Sequence, residues 1–154
     1  MSKPVVRIQQ DDFDVSEEIG KLATQDDNIG AVVSFVGLCR DENGKLSALE
    51  LEHYPGMAEA EISRISEQAI KRFGLTAVTA VHRFGKIPVG GNIVLVIAAS
   101  RHRQSAFDGA QFIMDYLKSN APFWKKEHKL DGTEGDWVEA RQCDDEAKER
   151  WAND

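Results

Sequence analysis

Five consecutive apolar residues, Ile93-Val94-Leu95-Val96-Ile97, constrain the fold of this chain more than any other stretch. Four of the five are β-branched, and β-branched side chains favour a pleated strand. A strand without polar alternation has no face to give to water. It therefore belongs in the middle of a sheet that is covered on both sides.

The rest of the chain supplies its neighbours. Val5 to Gln9 reads as a short strand. Asp14 opens a helix, with Glu17 three residues later as a capping box and Val15, Ile19 and Leu22 as a modest core. Gly30 to Arg40 is a Val- and Phe-rich strand with little polar alternation, so it too is expected to be covered on both faces. Asp41-Glu42-Asn43-Gly44 is a turn whose Asn-Gly pair signals a hairpin. Leu46 to Tyr54 follows as a strand, Leu49 and Leu51 alternating with Glu50 and Glu52, until Pro55-Gly56 stops it. Ala58 to Phe73 is an amphipathic helix with Ile62, Ile65, Ala69 and Phe73 on one stripe and Gly74 at the C-terminal cap. Thr76 to Phe84 is another strand, joined through Gly85 to Gly91 to the central one, Asn92 to Ala99.

Ser105 caps a helix that runs to about Lys118, with Phe107, Ala110, Met114 and Leu117 directed inward and Asn120-Ala121-Pro122 ending it. Two strand-like runs, Phe123 to Leu130 and Asp136 to Arg141, flank the turn from Asp131 to Gly135, and a short charged helix spans Asp144 to Trp151. Strands and helices mixed in this order, with hairpins, define an α+β class. At 154 residues the chain is expected to form one domain, 1–154, large enough to bury a core.

Charge is distributed unevenly. From Arg101 to Lys129 there are six Lys/Arg and three Asp/Glu, a balance of +3, while the remainder carries 13 Lys/Arg and 23 Asp/Glu within an overall net charge of −7. A basic island on an acidic protein suits a small anion. A polyanion needs a broad basic face, which this chain lacks, so nucleic acid is not expected. No run of eighteen apolar residues occurs, and the N-terminal Met1-Ser2-Lys3-Pro4 is too short and charged for a signal peptide, so a cytoplasmic protein is expected. In that compartment Cys39 and Cys143, far apart and without a CxxC pair, read as free thiols.

Arg101, His102 and Arg103 lie between the end of the central strand and the start of a helix. There backbone N–H groups and the helix dipole favour an anion, and arginine offers a planar fork to phosphate oxygens. Lys118 stands about thirteen residues beyond Ser105, roughly 20 Å along a helix axis. It cannot meet the same small ligand as His102 within one subunit unless the ligand is extended or the chain curls back; a dimer could instead bring Lys118 of one copy near Arg103 of the other. Singly, each of these cations also fits a solvated helix end. His53 and His82 fall in strand alternation and read as packing or surface residues. The four histidines show no HxxxH or HxH spacing, so no metal is expected. Cys39 beside Arg40 is read as an inert thiol rather than an activated one. No GxSxG, Walker A or GxGxxG motif occurs.

Several strings go further than pattern: Phe35-Val36-Gly37-Leu38-Cys39-Arg40, Leu51-Glu52-His53-Tyr54-Pro55-Gly56-Met57, His82-Arg83-Phe84-Gly85, Ser100-Arg101-His102-Arg103, Phe107-Asp108-Gly109-Ala110, Ile113-Met114-Asp115-Tyr116-Leu117-Lys118 and Ala121-Pro122-Phe123-Trp124-Lys125-Lys126-Glu127. From about Val5 to Trp151 the chain resembles the family of large, catalytic subunits of molybdopterin synthase. The resemblance implies an α/β hammerhead fold with an additional antiparallel β subdomain. It implies a central homodimer carrying a small ubiquitin-like sulfur-carrier subunit at each end. That subunit's C-terminal Gly-Gly, activated as a thiocarboxylate, would enter a pocket of the large subunit. Two sulfurs would pass to cyclic pyranopterin monophosphate to form the molybdopterin dithiolene, a sulfurtransferase reaction in molybdenum cofactor biosynthesis with no metal, nucleotide or other cofactor at this step.

The family's pocket residues map onto Arg40, His102, Arg103, Lys118, Lys125, Lys126 and Glu127, drawn in the family from both halves of the dimer. Lys118 is the implied catalytic residue and Lys125 a second acid–base group. Where the family often has a polar or basic side chain this chain has Leu38, followed by Cys39; substrate contact there survives through the backbone. Two other functions fit the same residues: a non-catalytic adaptor for a ubiquitin-like partner, and an anion-binding regulatory module.

Overall fold

The apolar run lies inside strand β6 (Asn92–Ser100), whose last seven residues are all buried. In a computed structural model, which describes residues 3–120, 122–139, 149 and 151–152, β6 sits within a four-stranded sheet. Its companions are β1 (Val5–Gln9), β4 (Ala77–Arg83) and β2 (Ala31–Leu38), in the order β1-β4-β6-β2. Only the β1–β4 pair is parallel.

The period-2 alternation of β6 divides the core in two. Val94, Val96 and Ala98 pack toward helices α2 (Met57–Phe73) and α3 (Arg103–Asn120), meeting Ile62, Ile65, Ala69, Ile113 and Leu117. Leu95, Ile97 and Ala99 face the other way, against Phe13 and against Leu22 of α1 (Val15–Ala23). Each fully buried Leu, Ile or Val here is worth about 1.5–3 kcal/mol of transfer free energy. The caps are where local chemistry puts them. The Asp14 side chain accepts from the Glu17 N–H at 3.0 Å, and Gly74 closes α2 in the left-handed conformation at φ 65°.

A second, antiparallel sheet stands beside the first, in the order β5-β3-β7-β8. It is built from β3 (Leu46–His53), β5 (Gly85–Pro88), β7 (Phe123–Lys129) and β8 (Val138–Glu139). Its small core joins Leu46, Leu51 and Ile87 to Cys39.

Four expectations are corrected. β2 is an edge strand, not one covered on both faces: Phe35 and Leu38 remain 41% and 52% exposed. The Asn43-Gly44 turn does not make a hairpin, because β2 pairs with β6 whereas β3 pairs with β5 and β7. The turn instead carries the chain from one sheet to the other, with Glu42, Asn43 and Gly44 all at positive φ. The link from Gly85 to Gly91 contains a strand of its own, β5. Phe107 is 56% exposed; the inward face of α3 is Ala106, Gly109, Ala110, Ile113 and Leu117, one helical stripe to the side. Of the last strand, Val138 and Glu139 are described, and most of the expected helix from Asp144 lies outside the described residues.

Candidate active site

Three elements from different parts of the sequence converge on one cavity of about 190 Å³ between the sheets. The end of β2 contributes Leu38, Cys39 and Arg40; the end of α3 contributes Leu117 and Lys118; β7 contributes Phe123, Lys125 and Glu127. Leu46, Leu49 and Leu51 of β3, with Ile93, form an apolar floor, and His82 of β4 and Glu42 complete the wall.

Backbone geometry sets up the β2 side. At Gly37 a Cβ atom would lie 2.8 Å from Val94 Cγ1, so only glycine lets the two strands approach this closely. The pairing register then slips between Gly37 and Leu38. Past this irregularity the Cys39 N–H donates to Gly91 O at 2.9 Å, and the Gly90 N–H donates to Cys39 O at 2.8 Å. A bulge of this kind re-aims side chains at a strand end, and here it delivers three consecutive residues to the cavity. Cys39 is buried, its Sγ 3.8 Å from Arg40 O. Burial pushes its thiol pKa up, and Glu42 adds to the rise, so it is a protonated thiol at neutral pH. Arg40 stays exposed and pairs with Glu42 at 3.2 Å.

Strand parity decides the β7 side. Successive side chains of a strand point to opposite faces, so Phe123, Lys125 and Glu127 face the cavity while Trp124, Lys126 and His128 do not. Lys126 instead lies 3.4 Å from Glu134 and 5.1 Å from the centre of the Trp137 ring. His128 accompanies it on that face, its Nε2 2.9 Å from a Glu50 carboxylate oxygen. Opposite, Leu49 and Leu51 pair across the ladder with Glu127 and Lys125, so the apolar half of β3 lies under the charged half of β7.

His102 and Arg103 are exposed at the N-terminal end of α3, and neither lines this cavity. Lys118 lies fifteen residues further along that helix, about 22 Å away at the usual rise. A single chain therefore gathers Leu38, Cys39, Arg40, Lys118, Lys125 and Glu127, and leaves His102, Arg103 and Lys126 outside.

The residue that sequence reasoning passed over is His82. It is buried, and its ring stacks on Phe123 with centroids 3.8 Å apart. Its Nδ1 lies 2.8 Å from Arg83 O. Desolvation, opposed by the Arg83 hydrogen bond and aided by the Lys118 and His53 charges, lowers its pKa to about 4. The signal was present in the sequence: His82 is the one ionisable residue in Ala77-Val78-Thr79-Ala80-Val81-His82, a strand otherwise filled for burial. Among the described residues no group of three or more His, Cys, Asp or Glu is placed to hold a metal ion. Nor is any helix among them long and apolar enough to cross a membrane.

A two-sheet α+β fold whose inter-sheet cavity combines an apolar floor with lysines from separate elements has the composition of a site for a small anionic ligand. Residues 8–120 match the family model described as MoaE protein, and the chain belongs to that family. It is 64% identical over 152 residues to a Rhizobium meliloti protein named molybdopterin synthase catalytic subunit, covering 98% of each chain. A Mesorhizobium japonicum protein of the same name is 64% identical over 148 residues, covering 96% of this chain and 93% of its own. Among solved structures, a molybdopterin biosynthesis MoaE protein from Burkholderia ambifaria superposes with a TM-score of 0.87 at 44% identity, over 98% of this chain and 99% of that one.

Proposed function

We propose that this chain is the catalytic subunit of molybdopterin synthase, a sulfurtransferase of molybdenum cofactor biosynthesis acting in the cytoplasm as a single domain. It moves two sulfurs, one from each of two thiocarboxylated C-termini of the small ubiquitin-like subunit, to cyclic pyranopterin monophosphate. The observation that carries this reading is the convergence of Lys118 and Lys125, from α3 and β7, on one cavity with an apolar floor.

The chemistry follows from that arrangement. A Gly-Gly tail has no side chains, so it can lie extended against the leucine floor of a small cavity. An apolar floor keeps water from the thiocarboxylate, which would otherwise hydrolyse. Lys118, beside the tail's carbonyl, is placed to move protons or to take the acyl group, and Lys125 polarises the reacting centre from the opposite wall. Glu127 counters the two ammonium charges.

The substrate phosphate needs its own hydrogen-bond donors, and His102 and Arg103 supply them from a second copy of the chain. Two facts support a shared site. Those residues stand at the far end of α3 from Lys118. The cavity of one protomer, about 190 Å³, is also smaller than the roughly 300–1,000 Å³ of sites that enclose a whole small-molecule ligand.

The deciding experiment is reconstitution from purified components, scoring dithiolene formation. Lys118→Ala should lower the rate by about 10²–10⁴-fold, the usual range for a positioned acid–base group. Undiminished product from Lys118→Ala would instead make this chain an adaptor. No product with the intact protein would refute the assignment altogether.

A further inference from the structure

We propose that His82 is a positioning residue for Lys118: its neutral imidazole presents the Nε2 lone pair to the cavity, accepts a hydrogen bond from the lysine Nζ, and so aims that nitrogen at the reacting carbonyl. The inference rests on the assignment of Lys118 as the reacting amine.

Three observations fix the imidazole. First, a carbonyl oxygen only accepts hydrogen bonds, so the 2.8 Å contact to Arg83 O places the ring proton on Nδ1. That leaves Nε2 without a proton and able to accept. Second, the stack on Phe123, at 3.8 Å and 18° between planes, stops the ring from turning. Phe123 is itself buried, on the same face of β7 as Lys125. Third, His82 and Lys118 line the same cavity, near enough for the lysine charge to disfavour a charged imidazole.

The electrostatics favour a neutral acceptor. Lys118 faces His82 from α3, His53 from β3, and Lys125 and Glu127 from β7; Arg40 and Glu42 stand at the cavity's β2 edge. The Arg83 side chain is turned elsewhere, donating to Gln10 O and Asn92 O. A protonated imidazole would add a fourth cation to Lys118, Lys125 and Arg40 and repel them. A buried, uncharged acceptor orients the amine without neutralising it.

Two amides separate this role from a purely structural one. Glutamine places its terminal amide near the position of Nε2, and asparagine places its own near Nδ1. His82→Gln should keep kcat in the reconstituted enzyme within about threefold, whereas His82→Asn and His82→Phe should lose about tenfold or more, the scale of a misplaced catalytic group. The KM for the pterin precursor should stay within about twofold in all three.

A second measurement needs neither precursor nor carrier subunit. In competitive acylation of the intact protein, read at Lys118 by mass spectrometry across pH, loss of an acceptor that favours the charged amine should shift the Lys118 midpoint down by about half a pH unit or more in His82→Phe. His82→Gln should leave it in place. An active His82→Asn with an inactive His82→Gln would overturn the proposal, as would an unmoved Lys118 midpoint in every variant. Because the labelling does not depend on catalysis, a failed reconstitution would refute the assigned reaction and leave the coupling between these two residues still measured. Should His82→Phe not fold, the two amide variants carry the test.

Discussion

Replacing Lys125 and Lys126 one at a time by alanine should separate two residues that the sequence presents as a pair. Lys125 lines the cavity with Lys118 and Glu127. Lys126, on the other face of β7, meets Glu134 at 3.4 Å and the Trp137 ring at 5.1 Å. A hydrogen bond from a charged donor is worth about 1.5–3 kcal/mol. At about 1.4 kcal/mol per tenfold, Lys125→Ala should reduce kcat/KM by about 10- to 150-fold. The Lys126 contacts are weaker. Its partner Glu134 is 55% exposed at the side chain, which limits the ion pair to about 0–1 kcal/mol, and a partly exposed cation–π contact adds about 0.5–1 kcal/mol. Lys126→Ala should therefore leave kcat/KM within about threefold while lowering the melting temperature by a few degrees, at about 2–4 °C per kcal/mol for a chain of this size. The assay is dithiolene formation with the thiocarboxylated small subunit, alongside thermal denaturation of each variant. Equal losses of activity from both variants, with both proteins folded, would refute the parity argument and place Lys126 at the substrate.

Further outcomes follow from burial and charge. His82 has a folded pKa lowered from 6.5 to about 4. The unfolded chain thus takes up a proton first, and stability is full above pH 6.5 and declines as pH falls toward 4. Between pH 7 and pH 5 this group should cost about 2 kcal/mol in urea denaturation, and His82→Phe should remove that part of the slope; equal slopes would contradict the burial. Cys39, with its thiol pKa raised by burial, should react with iodoacetamide at neutral pH only as fast as the fold opens, measured by peptide mass spectrometry; rapid native labelling would mean an activated thiolate instead. Gly37→Ala brings a Cβ to 2.8 Å from Val94 Cγ1 and should cost about 1–3 kcal/mol while displacing Arg40, so activity should fall more than stability explains. Ile113→Ala, at a fully buried position of α3, should cost about 2–5 kcal/mol with kcat/KM of the remaining folded protein unchanged.

The sequence by itself determined whatever depends on near neighbours. The apolar run in β6, the stripe of Ile62, Ile65 and Ala69 in α2, the Asp14 cap and the Gly74 stop each express a period or a backbone preference within one turn or a few residues. Strings such as Ala121 to Glu127 also carried the family, and with it Lys118 and Lys125 as cavity residues. The tertiary structure alone decided what depends on pairing across long separations. Leu51 meets Lys125 across 74 positions, and nothing in either strand states that register. Only the ladder determines that Lys125 and Glu127 turn to the cavity and Lys126 away, because a slip of one residue would exchange every side chain between faces. The edge position of β2 was hidden for the same reason: its composition matches a central strand, and only the sheet order leaves Phe35 and Leu38 in the open. His82 became legible last. Whether a buried histidine is packing or machinery depends on what it faces, and it faces Lys118 only because β4 and the end of α3, more than thirty residues apart, border the same cavity.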